Sequence, residues 1–310
     1  MLYSLLALQL LLLLWLVACA ELENPIDSNK GAIVTLAQGR HMLGRFPYRN
    51  LVKHNHAIQK YVWTGFVDVI IFHEGNILEA HQKYLQEKSG AMPLKFINVS
   101  ETFQLYRAVN KSFCPETDEM RPYGPGYRSM CRFWFSEFHK YLNEYAWAFR
   151  VDEDCMAESD ITHFLTDREI TSRLHLSAST WVDLASAKTD YISSGGDGIF
   201  VHNMKKLVRE FAAEKALGAE KVSVTSWQAP YSSVMWINLN WYRANRLLLH
   251  FDEKVIKSEC IYSGRWGDLP LWGAKAFLVS ETRHVMNFSY HHLSHRIKIR
   301  PHTVYRRKIS

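Results

Sequence analysis

The sequence has no Lys or Arg before Lys30, no C-x-x-C pair, no G-x-G-x-x-G, no internal repeat and no low-complexity segment. Each absence narrows the reading. Without C-x-x-C spacing, the cysteines argue against a zinc site. Gly39 and Gly44 follow the first apolar run as G-x-x-x-x-G, so a Rossmann dinucleotide domain lacks its fingerprint. Outside the basic stretch after Arg296, no basic patch with interleaved aromatics occurs, which sets nucleic acid aside as a partner. Without repeats, 310 residues read as one compact domain.

What is present begins with an apolar leader. Residues 1–20 hold a Leu-rich run from Leu5 to Val17, short for a membrane span of about 20 residues. Ala18-Cys19-Ala20 before Glu21 fits an A-x-A cleavage site, although the usual basic n-region is missing. Secretory targeting follows, by a cleaved signal or an uncleaved anchor, with residues 21–30 as a short polar stalk. A membrane would be met only through that segment if uncleaved. Three N-x-S sequons, at Asn98, Asn110 and Asn287, agree with a Golgi or ER lumen. Cys114, Cys131, Cys155 and Cys260 outside the leader allow up to two disulfides in any of three pairings. The formal net charge is +6, much of it after Arg296, and residues 296–310 read as a basic tail.

Strand and helix patterns alternate. Strands are expected at 32–38, 67–72 and 94–99, with helices at 50–62 and 77–88 between them. Such alternation predicts a mostly parallel sheet with helices on both faces. A loop over 110–126 precedes a helix expected at 128–142, where Arg128 and Arg132 lie four apart on one face. They would meet a diphosphate or pair with Glu residues. A second glycine-rich loop, Ser193 to Gly198, reads as a tight turn, and an amphipathic helix follows at 203–217.

The chain centres on residues 126–155. From Tyr145 to Val151 the residues alternate, with Tyr145, Trp147, Phe149 and Val151 on one face and Ala146, Ala148 and Arg150 on the other. Asp152, Glu153 and Asp154 follow. If extended geometry persists, Asp152 and Asp154 point the same way at the sheet's mouth. Two carboxylates there suit Mn²⁺ or Mg²⁺ carrying a diphosphate.

Three blocks in this order resemble a known family. Tyr127-Arg128-x-Met130-Cys131-Arg132-Phe133, followed by an aromatic strand ending Arg150-Val151-Asp152-Glu153-Asp154, resembles YRHMCRF and YYWRVEPD of the fungal α-1,2-mannosyltransferases, glycosyltransferase family 15. Tyr262 to Pro270, YSGRWGDLP, is similar to that family's YxxRWGDAP, and Phe288 to His292 resembles FxxIGYxH. The likeness covers roughly residues 31–295 and implies a GT-A-type α/β fold, a Rossmann-like mixed sheet flanked by helices. It implies a retaining transfer of mannose from GDP-mannose to a glycan or glycoprotein hydroxyl. By the resemblance, His292 joins Asp152 and Asp154 on Mn²⁺, Asp268 is the acceptor-side carboxylate, Tyr127 lies near the donor, and Arg265 pairs with Asp268 or a phosphate. Imidazole beside carboxylate favours Mn²⁺ over Mg²⁺.

One position departs from the family. Its segment SNFEIADLDFFR carries a Glu proposed as nucleophile or stabiliser; the similar stretch here, Ser232 to Arg243, places Met235 there. No Asp or Glu occurs from Lys221 to Phe251. Another acid substitutes, transfer proceeds without a covalent intermediate, or the chain is inactive. Two alternatives therefore stand beside mannosyl transfer: another nucleotide sugar as donor, and an inactive glycan-binding protein on the same scaffold.

Overall fold

The computed structural model describes residues 30–39, 48–104, 124–184, 203–264, 266–281 and 283–301. The leader, Asn110, Cys114, the 193–198 loop, Arg265 and the end of the basic tail lie outside them.

Twelve strands form three sheets among the described residues. In chain order they are β1 (Gly31–Ala37), β2 (Asp68–His73), β3 (Leu94–Asn98), β4 (Trp147–Val151), β5 (Cys155–Ala157), β6 (Leu176–Ala178), β7 (Trp181–Asp183), β8 (Gln228–Pro230), β9 (Val234–Asn238), β10 (His284–Val285), β11 (Tyr290–His292) and β12 (Ile297–Ile299). The central sheet has seven strands in the order β10-β6-β9-β4-β1-β2-β3. β1 runs parallel to β2 and to β4, and β2 parallel to β3, as helical crossovers require. β9 runs antiparallel between β4 and β6. The sheet is therefore mixed, and β4 lies at its middle.

The first two expected helices appear as Arg49–Tyr61 and Glu79–Lys88. Both faces of the sheet are buried, which is why β4 has no exposed residue. Ile33, Phe149, Val151 and Trp236 pack into one core; Val34, Ala148, Met235 and Ile237 pack into the other. The alternation expected over 147–151 is thus observed. Tyr145 and Ala146 sit on the opposite sides from those expected, because extended pairing begins only at Trp147.

The helix expected over 128–142 is broken into three. An α-helix covers Pro125–Arg132, a π-turn Phe133–Glu137 and a 3₁₀ turn Phe138–Tyr141. Phe133, Trp134, Phe135 and Ser136 are all buried, and a regular α-helix cannot turn four successive residues inward. The widened turn leaves carbonyls to satisfy. Trp272 Nε1 donates to the Trp134 carbonyl at 3.1 Å, and Lys275 Nζ to that of Phe135 at 2.5 Å. Both donors come from the helix Asp268–Leu278. That helix also lies against β8 through Gly273, where an added Cβ would fall 2.7 Å from Ala229 Cβ.

The folded part runs past residue 295, the boundary expected for the domain. Ile297 and Ile299 alternate with Lys298, so β12 pairs antiparallel with β11 and buries Ile299. β11 in turn pairs with β5, completing a small sheet beside the end of β4. Cys131 and Cys155 are free and buried, whereas Cys260 is disulfide-bonded, its partner outside the described residues.

Candidate active site

The site grows from the end of β4. Extended geometry stops at Val151, and the Cys155 amide bonds back to the Asp152 carbonyl at 2.8 Å. The extended geometry on which the pairing of Asp152 with Asp154 depended therefore does not persist, and the two carboxylates take different partners. Asp152 turns back to Arg150, which donates to it from Nε at 2.8 Å and from Nη2 at 3.1 Å. Asp154 turns forward to His292, with Oδ2 3.2 Å from Nε2.

Both ends of this turn are tied down. His54, buried in the helix Arg49–Tyr61, reaches the Cys155 carbonyl with Nδ1 at 2.9 Å. A carbonyl only accepts, so Nδ1 carries a proton. His54 Nε2 lies 3.1 Å from the Thr35 hydroxyl, which donates to the Val151 carbonyl at 2.9 Å. Burial holds the His54 imidazole neutral down to about 4. Within the turn, Glu153 accepts from the Gln38 amide at 3.1 Å, and burial raises its carboxyl to about 7.

Strand register decides between the two adjacent histidines. In the antiparallel pair β11–β5, His292 faces Cys155 and His291 faces Met156. His292 thus shares the side of Cys155 and is buried. Its Nδ1 lies 3.0 Å from the Tyr231 hydroxyl, which fixes the ring. Burial would raise the Asp154 carboxyl. Hydrogen bonding and charge from His292, with help from Ser294, outweigh that and hold it at about 2. Ligand atoms of Asp154, Cys155 and His292 all lie within 4.8 Å of one another. Carboxylate, thiol and imidazole at that spacing fit a single divalent transition-metal ion. Asp152 is not in this group.

A second charged centre adjoins the first through Asp152. Arg150 is buried in the sheet, and its Nη1 donates to Asp268 Oδ2 at 2.5 Å. The guanidinium stacks over the Trp134 ring, 4.3 Å from its centroid. Burial disfavours the Arg150 charge, but Asp152 and Asp268 overcome this and push its proton affinity up. Asp268 opens the helix Asp268–Leu278, where an acid also meets the helix dipole favourably. Met235 stands directly opposite Arg150 on β9 and is fully buried. Paired residues of antiparallel strands share a face, so the thioether lies on the Arg150 side of the sheet.

The remaining expected residues divide. Tyr127 approaches the 266–268 loop, its hydroxyl lying by Gly267. Arg128 is buried and donates from Nη1 to the Tyr262 carbonyl at 2.5 Å, joining the first block to the R-W-G-D block. Arg132 pairs with Glu137 at 3.4 Å, the Glu-paired alternative left open by sequence. The structure thus gathers all the blocks around β4. Residues that sequence reasoning passed over are Arg150, Cys155, Tyr231 and His54. Arg150 carried a signal, a charge within an otherwise apolar strand; the other three did not.

No family model matches this chain, and no curated protein matches it in sequence. Solved structures do match in shape. Core-mannan synthase A (CmsA/Ktr4) from Aspergillus fumigatus, in its Mn/GDP form, superposes with a TM-score of 0.60 at 15% identity, covering 92% of this chain and 85% of that one. The mannosyltransferase Ktr4p from S. cerevisiae, in complex with GDP, gives 0.61 at 12% identity, covering 87% of this chain and 72% of that one. The fold is GT-A. In GT-A terms, the site described above lies at the carboxyl end of central strand β4, where open α/β sheets bind ligands.

Proposed function

We propose that this chain is a metal-dependent glycosyltransferase of the secretory pathway, moving mannose from GDP-mannose to a glycan or glycoprotein hydroxyl with retention in an α-1,2 linkage. The observation that carries the reading is the Asp154–His292 pair at the end of β4 beside the buried Arg150–Asp268 pair. Asp154 and His292 would hold Mn²⁺, and Tyr231 keeps His292 turned toward it. When bound, a divalent cation there supplies positive charge against the departing diphosphate. Arg150 fixes the Asp268 carboxylate by donating to it from within the sheet. From there Asp268 orients the acceptor hydroxyl. Met235 offers no carboxylate, so the chain's own residues favour a transfer without a covalent intermediate.

One observation favours a second reading. The Asp268 carboxylate is already engaged by Arg150 and Met235 is inert, as an inactive glycan-binding protein would tolerate. Assay of the purified protein with Mn²⁺ across GDP- and UDP-sugars separates the two. Turnover of GDP-mannose supports mannosyl transfer, turnover of another sugar reassigns the donor, and binding without turnover of any supports the second reading.

A further inference from the structure

We propose that the Cys155 thiol is a third protein ligand of the Asp154–His292 site, and that the site therefore takes thiophilic divalent ions, Zn²⁺ and Cd²⁺, in preference to Mn²⁺. This rests on the reading that Asp154 and His292 hold a divalent ion.

Three observations converge. The Cys155, Asp154 and His292 ligand atoms lie within 4.8 Å of one another, with the sulfur 3.9 Å from Asp154 Oδ1. Ligand atoms on a tetrahedral ion with bonds of about 2.0–2.3 Å stand roughly 3.3–3.8 Å apart, so Asp154 and His292, 3.2 Å from one another, are already at that spacing and the sulfur closes the set by moving about 1 Å. Strand register adds the second observation. β5 and β11 place Cys155 and His292 as a facing pair, and main-chain hydrogen bonds fix that pairing. The third is the support around the ligands. His54 holds the backbone carbonyl of Cys155 and Tyr231 holds His292 Nδ1, so the main chain that carries the thiol and the imidazole ring are both fixed before any ion arrives.

The donor set then decides the ion. Carboxylate and imidazole alone leave Mn²⁺ a reasonable occupant, but a sulfur donor shifts preference to softer ions, and Zn²⁺ lies well above Mn²⁺ in the affinity series. Coordination replaces the S–H bond with a sulfur–metal bond and releases the proton to buffer. This departs from the sequence expectation, since C-x-x-C spacing signals zinc only when two cysteines share a local turn. Here one thiol, one imidazole and one carboxylate come from two strands and the turn between β4 and β5.

X-ray absorption on the intact wild-type protein with one equivalent of Zn²⁺ is the direct test. The expected shell contains one sulfur at about 2.3 Å with nitrogen and oxygen neighbours. A shell of nitrogen and oxygen alone overturns the assignment. Cd²⁺ titration gives an independent readout, the thiolate-to-cadmium charge-transfer absorption in the ultraviolet. That band is expected in wild type and in Cys131→Ser, and absent in Cys155→Ser and in Cys155→Ala, the smaller variant for a buried site. Retention of the band in either Cys155 variant, or its loss only in Cys131→Ser, contradicts the proposal. Competition should show Zn²⁺ displacing Mn²⁺ with at least about tenfold tighter binding. Saturable Mn²⁺ uptake with a sulfur-free zinc shell removes the thiol while leaving the metal reading intact. Uptake of neither ion removes both.

Discussion

At the scale of single residues, the site depends on who holds each acid. Arg150 divides its guanidinium between Asp152 and Asp268, so each carboxylate is committed before substrate arrives. Asp268→Asn should lower kcat by about 10²–10⁴, the usual scale of acid–base and orienting help. Weaker pairing with buried Arg150 should also cost about 1–3 kcal/mol in urea unfolding. Full turnover in that variant would move the acceptor-side role elsewhere. Met235→Glu should not raise activity. It adds a third acid to a guanidinium already shared by two, in a position with no exposure. A glycosylated carboxylate trapped by mass spectrometry at any position would overturn the transfer without a covalent intermediate. Tyr231→Phe removes the partner of His292 Nδ1 and should weaken metal affinity by about 10–100-fold, read by calorimetry.

At the scale of elements, the π-turn over Phe133–Glu137 and the helix Asp268–Leu278 are coupled through Lys275. Its ammonium is fully buried, 2.9 Å from Asp252 and 2.7 Å from the Tyr242 hydroxyl, under the rings of Phe135 and Trp272. Lys275→Met strands Asp252 and should cost about 3–5 kcal/mol in chemical unfolding. A cost below 1 kcal/mol, against that same scale, would mean water reaches Asp252. Nearby, His139 gives a pH signature. Burial, then the charges of Lys275, Arg243 and Lys140, depress its imidazole to about 3. Its unfolded counterpart protonates near 6.5, so between the two values the unfolded state binds more protons. Stability contributed by the neutral ring is therefore complete above about 6.5 and falls as pH drops toward 3. His139→Asn should flatten that slope in urea titrations at successive pH values.

Much of the architecture was legible at this scale because local pattern and tertiary role agree. The first three strands and two helices follow apolar periodicity and appear within two residues of their expected bounds. The 128–142 segment did not, because four successive buried residues are arranged by what packs on them from residues 272 and 275, far along the chain. The site was half legible for the same reason. Asp154 and His292 lie in recognisable blocks. The reversal of Asp152, the register that selects His292 over His291, and the approach of Cys155 depend on a turn and a strand pairing between segments more than a hundred residues apart.

At the scale of the whole molecule, a GT-A scaffold brings three sequence blocks to one end of one strand. Sequon Asn98 is exposed at the end of β3 and Asn287 is exposed before β11. Among the described residues no helix is long and apolar enough to cross a membrane. The central claim is that Asp154 and His292, rather than Asp152, tie a divalent ion and a diphosphate to the end of β4. Calorimetric titration of GDP with and without Mn²⁺, into wild type, Asp154→Asn, His292→Gln and Asp152→Asn, tests it most directly. The account predicts Mn²⁺-dependent binding in wild type, its loss in Asp154→Asn and His292→Gln, and its retention in Asp152→Asn. Unchanged Mn²⁺-dependent affinity in both Asp154→Asn and His292→Gln, or loss confined to Asp152→Asn, would contradict it.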